Sequence, residues 1–177
     1  MNRRTFLFGL PVAMFSLEVT AHSPWGQYAV YRQKHLLILS TRDDAPSYGY
    51  SKRLVEAINK TAPEAKARPA RAIDLNRAYN LLRTNQFQFA LLSSENIHAM
   101  RTSTEQFSGK PSVDLKTVYQ FGDLEFVVVA DFPEELAAVV TNAILANLDI
   151  LPDAMSPKTV LNRATLHEGA RSAIERF

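Results

Sequence analysis

A chain of 177 residues with 46% hydrophobic and 21% charged side chains has the length and composition of one folded domain with a sizeable core. Its 20 basic and 18 acidic residues leave a net charge of +2, too small to mark a nucleic-acid partner. The absence of cysteine excludes disulfides, thiolate metal centres and cysteine nucleophiles, and six glycines never closer than 13 residues apart exclude a dinucleotide fingerprint or a Walker loop.

Asn2-Arg3-Arg4-Thr5-Phe6-Leu7 leads into an apolar run of 12 residues, Phe6 to Leu17. That is the length of a signal-peptide core and too short to span a bilayer. Val19-Thr20-Ala21 places small residues at the −3 and −1 positions, which predicts cleavage after Ala21. The adjacent Arg3 and Arg4 before Phe-Leu are similar to the twin-arginine export signal; the other reading is an ordinary secretory signal. Either predicts a periplasmic protein with no stable membrane insertion after cleavage. Its stability must then come from packing, because an oxidising compartment offers nothing to a cysteine-free chain.

Residues 22–34 form a mixed polar segment carrying Trp25, Tyr28 and Tyr31, read as an arm that packs over the domain. His35-Leu-Leu-Ile-Leu-Ser40 has the continuous apolar pattern of a strand buried on both faces. After the loop Thr41–Pro46, Tyr50, Leu54, Val55 and Ile58 share one face of a helix over residues 47–60. Residues 65–70 suit a second strand. Asp74 is an N-cap for a second helix with Leu75, Ala78, Tyr79 and Leu82 inward. Residues 87–92 read as a third strand and 94–102 as a third helix, followed by a polar loop to Ser112.

Two strand patterns, 113–121 and 124–130, are separated only by Gly122-Asp123, which predicts a two-residue hairpin. Pro133-Glu134-Glu135 opens a long helix with acids in its first turn, and a last helix spans 168–177. Strands alternating with helices predict an α/β domain over 35–177: a mostly parallel open sheet, helices on both faces, and one antiparallel strand from the hairpin.

Three stretches resemble the TAXI family of extracytoplasmic solute-binding proteins, the receptors of certain TRAP transporters. They are Ser47-Tyr48-Gly49-Tyr50 leading into Arg53–Lys60; Leu81 to Glu95; and Phe132-Pro133-Glu134-Glu135-Leu136 with Ala143–Leu148 and the later Leu166-His167-Glu168-Gly169-Ala170. The resemblance covers nearly all of residues 35–177 and implies one lobe of a type 2 periplasmic-binding-protein-like fold. Family members hold ligand between two lobes. Here the Gly122-Asp123 turn stands where the family's chain leaves to build the second lobe. Asp43-Asp44-Ala45-Pro46 and Ala70-Arg71-Ala72-Ile73 replace the family's glycines before the first two helices, adding side chains where backbone would approach a ligand.

In an open parallel sheet ligands sit beyond the carboxyl ends of the strands. The candidate rim is therefore Thr41, Arg42, Asp43, Ser47, Tyr48, Arg71, Asp74, Ser93 and Ser94. Helix starts near Ser47, Asp74 and Ser94, with Arg71, offer an anion site; the competing reading is that these groups cap helices and face water. Asp43-Asp44 also suits a divalent cation, although no further acid stands nearby in the sequence. His22 would become an N-terminal chelating group after cleavage, or simply a frayed end, and His167 reads as a packing or capping residue. No Gly-x-Ser-x-Gly occurs, and no recognisable motif pairs Ser93 or Ser94 with a histidine base.

The reading is thus a non-catalytic exported binding module with no cofactor, metal or nucleic acid, docking a periplasmic protein or transporter through its open rim. The alternatives are a receptor for a small carboxylate and, from another class, a periplasmic hydrolase.

Overall fold

A computed structural model describes residues 35–177. One five-stranded sheet organises them: β1 (Leu37–Thr41), β2 (Arg68–Ala72), β3 (Phe89–Ser93), β4 (Leu115–Phe121) and β5 (Leu124–Val129), in spatial order β2-β1-β3-β5-β4. β1 pairs in parallel with β2 and β3, while β5 runs antiparallel to both β3 and β4. Four strands therefore point one way and β5 alone points back. This is the α/β architecture with a single reversed strand, and both hairpin strands lie in the same sheet.

The helices are α1 (Ala45–Thr61), α2 (Leu75–Arg83), α3 (Ser94–Thr102), α4 (Glu134–Leu145), α5 (Pro157–Leu161) and α6 (Glu168–Glu175). The step from β1 to β2 and the return from β2 to β3 cross the sheet in opposite directions. Right-handed crossovers then place α1 and α2 on opposite faces. α1 packs against α4, and α4 against α6, in one layer; α2 and α3 cover the other face. The core between the layers is aromatic and aliphatic, with Phe107, Tyr119, Phe121 and Phe126 fully buried and Phe89 stacked on Phe126 at 5.4 Å.

Local chemistry accounts for several element ends. Pro46 occupies the first turn of α1, so that helix starts at Ala45, two residues before the expected start at Ser47. The Asp74 carboxylate accepts the Arg77 N–H at 2.6 Å and caps α2. Gly122 has φ +53 in the tight turn that joins β4 to β5. His167 caps α6: its Nδ1 accepts the Gly169 N–H at 3.1 Å, so Nε2 carries the hydrogen that it donates to the Phe132 carbonyl, also at 3.1 Å. α6 begins against α4 so closely that a Cβ on Gly169 would stand 2.0 Å from the Glu134 carbonyl oxygen.

Several boundaries differ from the sequence expectation by about two residues, as β3 and β4 do at their starts, and three differences have a clear local cause or add an element. Strand two occupies 68–72 instead of 65–70, because residues 63–65 make a 3₁₀ turn and Lys66 takes a left-handed φ of 45. α4 ends at Leu145, where the Asn147 side chain turns back on it. Its amide donates to the Ala143 and Ala57 carbonyls and to Thr61 Oγ1, tying the end of α4 to α1. α5 is a short helix between Pro152 and the last helix that periodicity did not reveal.

Both sheet edges are protected. β2 carries Pro69 between two exposed arginines. The outer edge of β4 is covered by later chain: Thr117 exchanges backbone bonds with Thr165 and His167, and Gly122 and Gln120 bond to Asp153 and Met155. Tyr50 and Tyr119 hold that cover down, donating to the Pro152 and Met155 carbonyls at 2.6 and 2.8 Å. Burial pushes the Tyr119 phenol up to about 12, so it remains a donor throughout the neutral range.

Candidate functional site

The carboxyl ends of β1, β2 and β3 bring the candidate rim residues to one end of the sheet, as the topology requires. Thr41 and Ser47 are buried, Tyr48, Asp74, Ser93 and Ser94 are half-buried, and Arg42, Asp43 and Arg71 are exposed. Thr41 is fully buried and its hydroxyl accepts the Asp44 N–H at 3.1 Å. Ser47, expected on the rim, is also fully buried, with Oγ donating to the Asp44 carbonyl at 2.7 Å. One helical turn carries its hydroxyl back under the loop.

The two aspartates reach further. Asp43 accepts the N–H of Leu75, the first residue of α2, at 3.2 Å, beside the Asp74 cap. Asp44 is 6% exposed and accepts the N–H of Ser93, the residue that precedes α3, at 2.5 Å. Burial raises the Asp44 carboxyl above its ordinary range; its bonds to the Ser93 N–H and to the Asn96 and Ser93 side chains oppose that rise. The starts of α2 and α3 thus each receive a carboxylate from the β1–α1 loop. An external carboxylate would compete there for N–H groups that are already bonded.

Ser93 Oγ accepts from the Asn96 amide at 2.7 Å. Ser94 donates its N–H to the Asp123 carbonyl and accepts at Oγ from Gln120. Neither serine has a histidine in its hydrogen bonds. Among the described residues no group of three histidines, aspartates or glutamates is placed to hold a metal ion.

What stays open is different in kind. Arg42 and Arg71 are exposed, and Tyr48 is half-buried with the Arg71 guanidinium 4.7 Å and the Lys52 ammonium 4.8 Å from its ring centre. Ile73, which follows β2, is 64% exposed. It was not among the candidates, and its signal in the sequence was faint: one apolar residue between Ala72 and the Asp74 cap. Arg3, Arg4, the cleavage point after Ala21, His22 and the arm 22–34 lie outside the described residues.

Two further features were missed. The buried Glu125 of β5 accepts from Arg101 Nη1 at 2.8 Å and from the Thr117 hydroxyl at 2.6 Å. Arg101 Nε also donates to the Leu115 carbonyl. A lone glutamate inside Leu124-Glu-Phe-Val-Val-Val was the available signal. The other is a cleft of about 640 Å³ at the amino end of the strands, away from the rim, lined by Leu37, Phe87, Phe89, Phe132, Leu136 and Val139 among others.

Among the described residues no helix is long and apolar enough to cross a membrane. No family model matches the chain, and no curated protein matches it.

Proposed function

We propose that this chain is an exported, non-catalytic binding module, a one-lobed relative of the TAXI solute receptors, that docks a protein partner through its rim. The observation that carries this reading is the internal occupation of the helix starts. Asp43 and Asp44 each take up one N–H at these helix starts, that of Leu75 and that of Ser93, and place a carboxylate where a small carboxylate ligand would otherwise approach. The accessible part of the rim is the Tyr48–Arg71 stack, Arg42, Asp43 and Ile73; an aromatic, arginines and a projecting aliphatic are residue types that make protein contacts. The resemblance to TAXI receptors supplies the class of partner, a transporter component or another exported protein. The paired strands 115–121 and 124–129 close the chain into one sheet where a second lobe would otherwise depart.

Photo-crosslinking from positions 71 and 73 in living cells tests this. We expect one discrete partner captured from both positions and lost with Arg71→Glu, and none from the exposed Lys158 on the far segment. Capture equal from all three positions would reject the rim as an interface. Processing that continues after Arg3 and Arg4 are both changed to lysine would assign export to the general secretory route.

A further inference from the structure

The cleft at the amino end of the strands is an incomplete piece of core. α4 buries Ala137, Val140 and Ile144 against the domain, yet Leu136 and Val139, one turn apart on the same helix, stay 53% and 43% exposed. They stand over the cleft with Phe89 and Phe132 on its floor. Large aliphatic groups paired beside an apolar hollow mark a surface that something covers.

The chain enters the described fold at this place: His35 and Leu36, the first described residues, themselves line the cleft. Immediately before them, residues 22–34 hold three aromatic side chains, Trp25, Tyr28 and Tyr31, and no acidic residue, with Arg32 and Lys34 beside the junction. The charge is complementary, because Glu64 lines the cleft and Glu135 precedes Leu136 on α4. Reach is no obstacle: Trp25 is ten residues before His35, a span of up to about 35 Å when extended. Aromatic side chains each remove about 150–250 Å² from water, a supply suited to an apolar hollow of this size.

We propose that the arm 22–34 docks in this cleft and completes the core, its aromatic side chains covering Leu136 and Val139 and its cations facing Glu64 and Glu135. The interaction does not depend on removal of residues 1–21. Its occupant is the same chain, so no second molecule is required.

The cysteine-free sequence makes a direct test simple. In the purified protein, whichever N-terminus it carries, Tyr28→Cys or Tyr31→Cys is combined with Val139→Cys. Mild oxidation is expected to form a disulfide within one chain in at least severalfold higher yield than the same arm cysteines with Arg77→Cys, an exposed position on the opposite layer. Trp25, the only tryptophan, is expected to fluoresce at shorter wavelength in the native protein than in urea. Leu136→Glu, which alters a half-exposed side chain, is expected to shift that emission to the red while the far-ultraviolet circular dichroism stays native. Disulfides no more frequent than with Arg77→Cys, or formed only between chains, would overturn the proposal, the latter assigning the cleft to a second copy. Trp25 emission unchanged by Leu136→Glu would overturn it as well.

Discussion

Asp44 is the residue on which the rim turns. Its carboxylate is nearly shut off from water and is the acceptor of the Ser93 N–H. Its pKa is raised in the folded protein chiefly by burial. The sign of the linkage follows: the folded chain holds this proton more tightly than the unfolded one. The associated stability is fully present below about pH 4 and is lost as pH rises through the folded pKa. Asp44→Asn keeps an acceptor for the Ser93 N–H and removes the charge. We expect its stability to rise relative to the parent protein between pH 4 and pH 7, measured by urea unfolding at both. Asp44→Ala leaves the N–H unpaired and should cost about 1–3 kcal/mol at either pH. Asp43, a rim candidate from the sequence, also holds the first N–H of α2, so Asp43→Lys should lower the melting temperature whereas Arg71→Glu should not.

At the scale of elements, two contacts decide how the layers join. Gly169 is required because the start of α6 meets the backbone of α4, where a Cβ would fall 2.0 Å from a carbonyl oxygen that cannot move aside. Gly169→Ala should destabilise by about 3 kcal/mol, read from the shift in denaturant midpoint. The second contact is the ion pair from α3 to β5. Arg101 and Glu125 meet at 2.8 Å with side chains 16% and 3% exposed, and Thr117 and the Leu115 carbonyl complete the network. Removing one partner strands the other, so Arg101→Met should cost about 3–5 kcal/mol. Adding Glu125→Leu to Arg101→Met should recover much of that loss, because an apolar pair of similar volume needs no desolvated charge. Recovery in the double variant, seen by thermal unfolding, separates a structural pair from one whose charge is used on a ligand.

At the scale of the whole molecule, one sheet with helices on both faces leaves the carboxyl ends of its parallel strands as an open rim. A clamshell receptor buries its ligand between two lobes, and that burial supplies the affinity. One rim makes part of those contacts while the cost of immobilising the ligand remains. We expect the protein to bind dicarboxylates and amino acids with Kd weaker than about 1 mM, a free energy of about −4 kcal/mol, in isothermal titration. Micromolar binding of a small carboxylate abolished by Arg71→Ala would instead favour a solute receptor. The continuous core, running from Ile38 on β1 to Ile174 on α6, implies that unfolding is one cooperative transition by fluorescence and circular dichroism alike.

The alternation of strands and helices, the glycine hairpin and the Asp74 and His167 caps were all legible in the amino-acid sequence. Each depends on neighbours within a few residues: periodicity, turn chemistry or a side chain reaching its own helix start. The mostly parallel sheet followed from that alternation and its one reversed strand from the hairpin, whereas the order β2-β1-β3-β5-β4 was not legible in the sequence. Tertiary structure alone decided where the carboxylates went. Asp43 and Asp44 bond to N–H groups 32 and 49 residues away, partners that no local pattern announces. It likewise decided the start of β2. Arg68-Pro-Ala-Arg-Ala72 has little strand character of its own and is placed by its register against Leu37–Thr41. The cleft at the amino end of the strands arises the same way, from helices and strand ends distant in sequence. Local propensity is a property of the chain, whereas the pairing of distant polar groups and the gaps between elements exist only once the layers have packed.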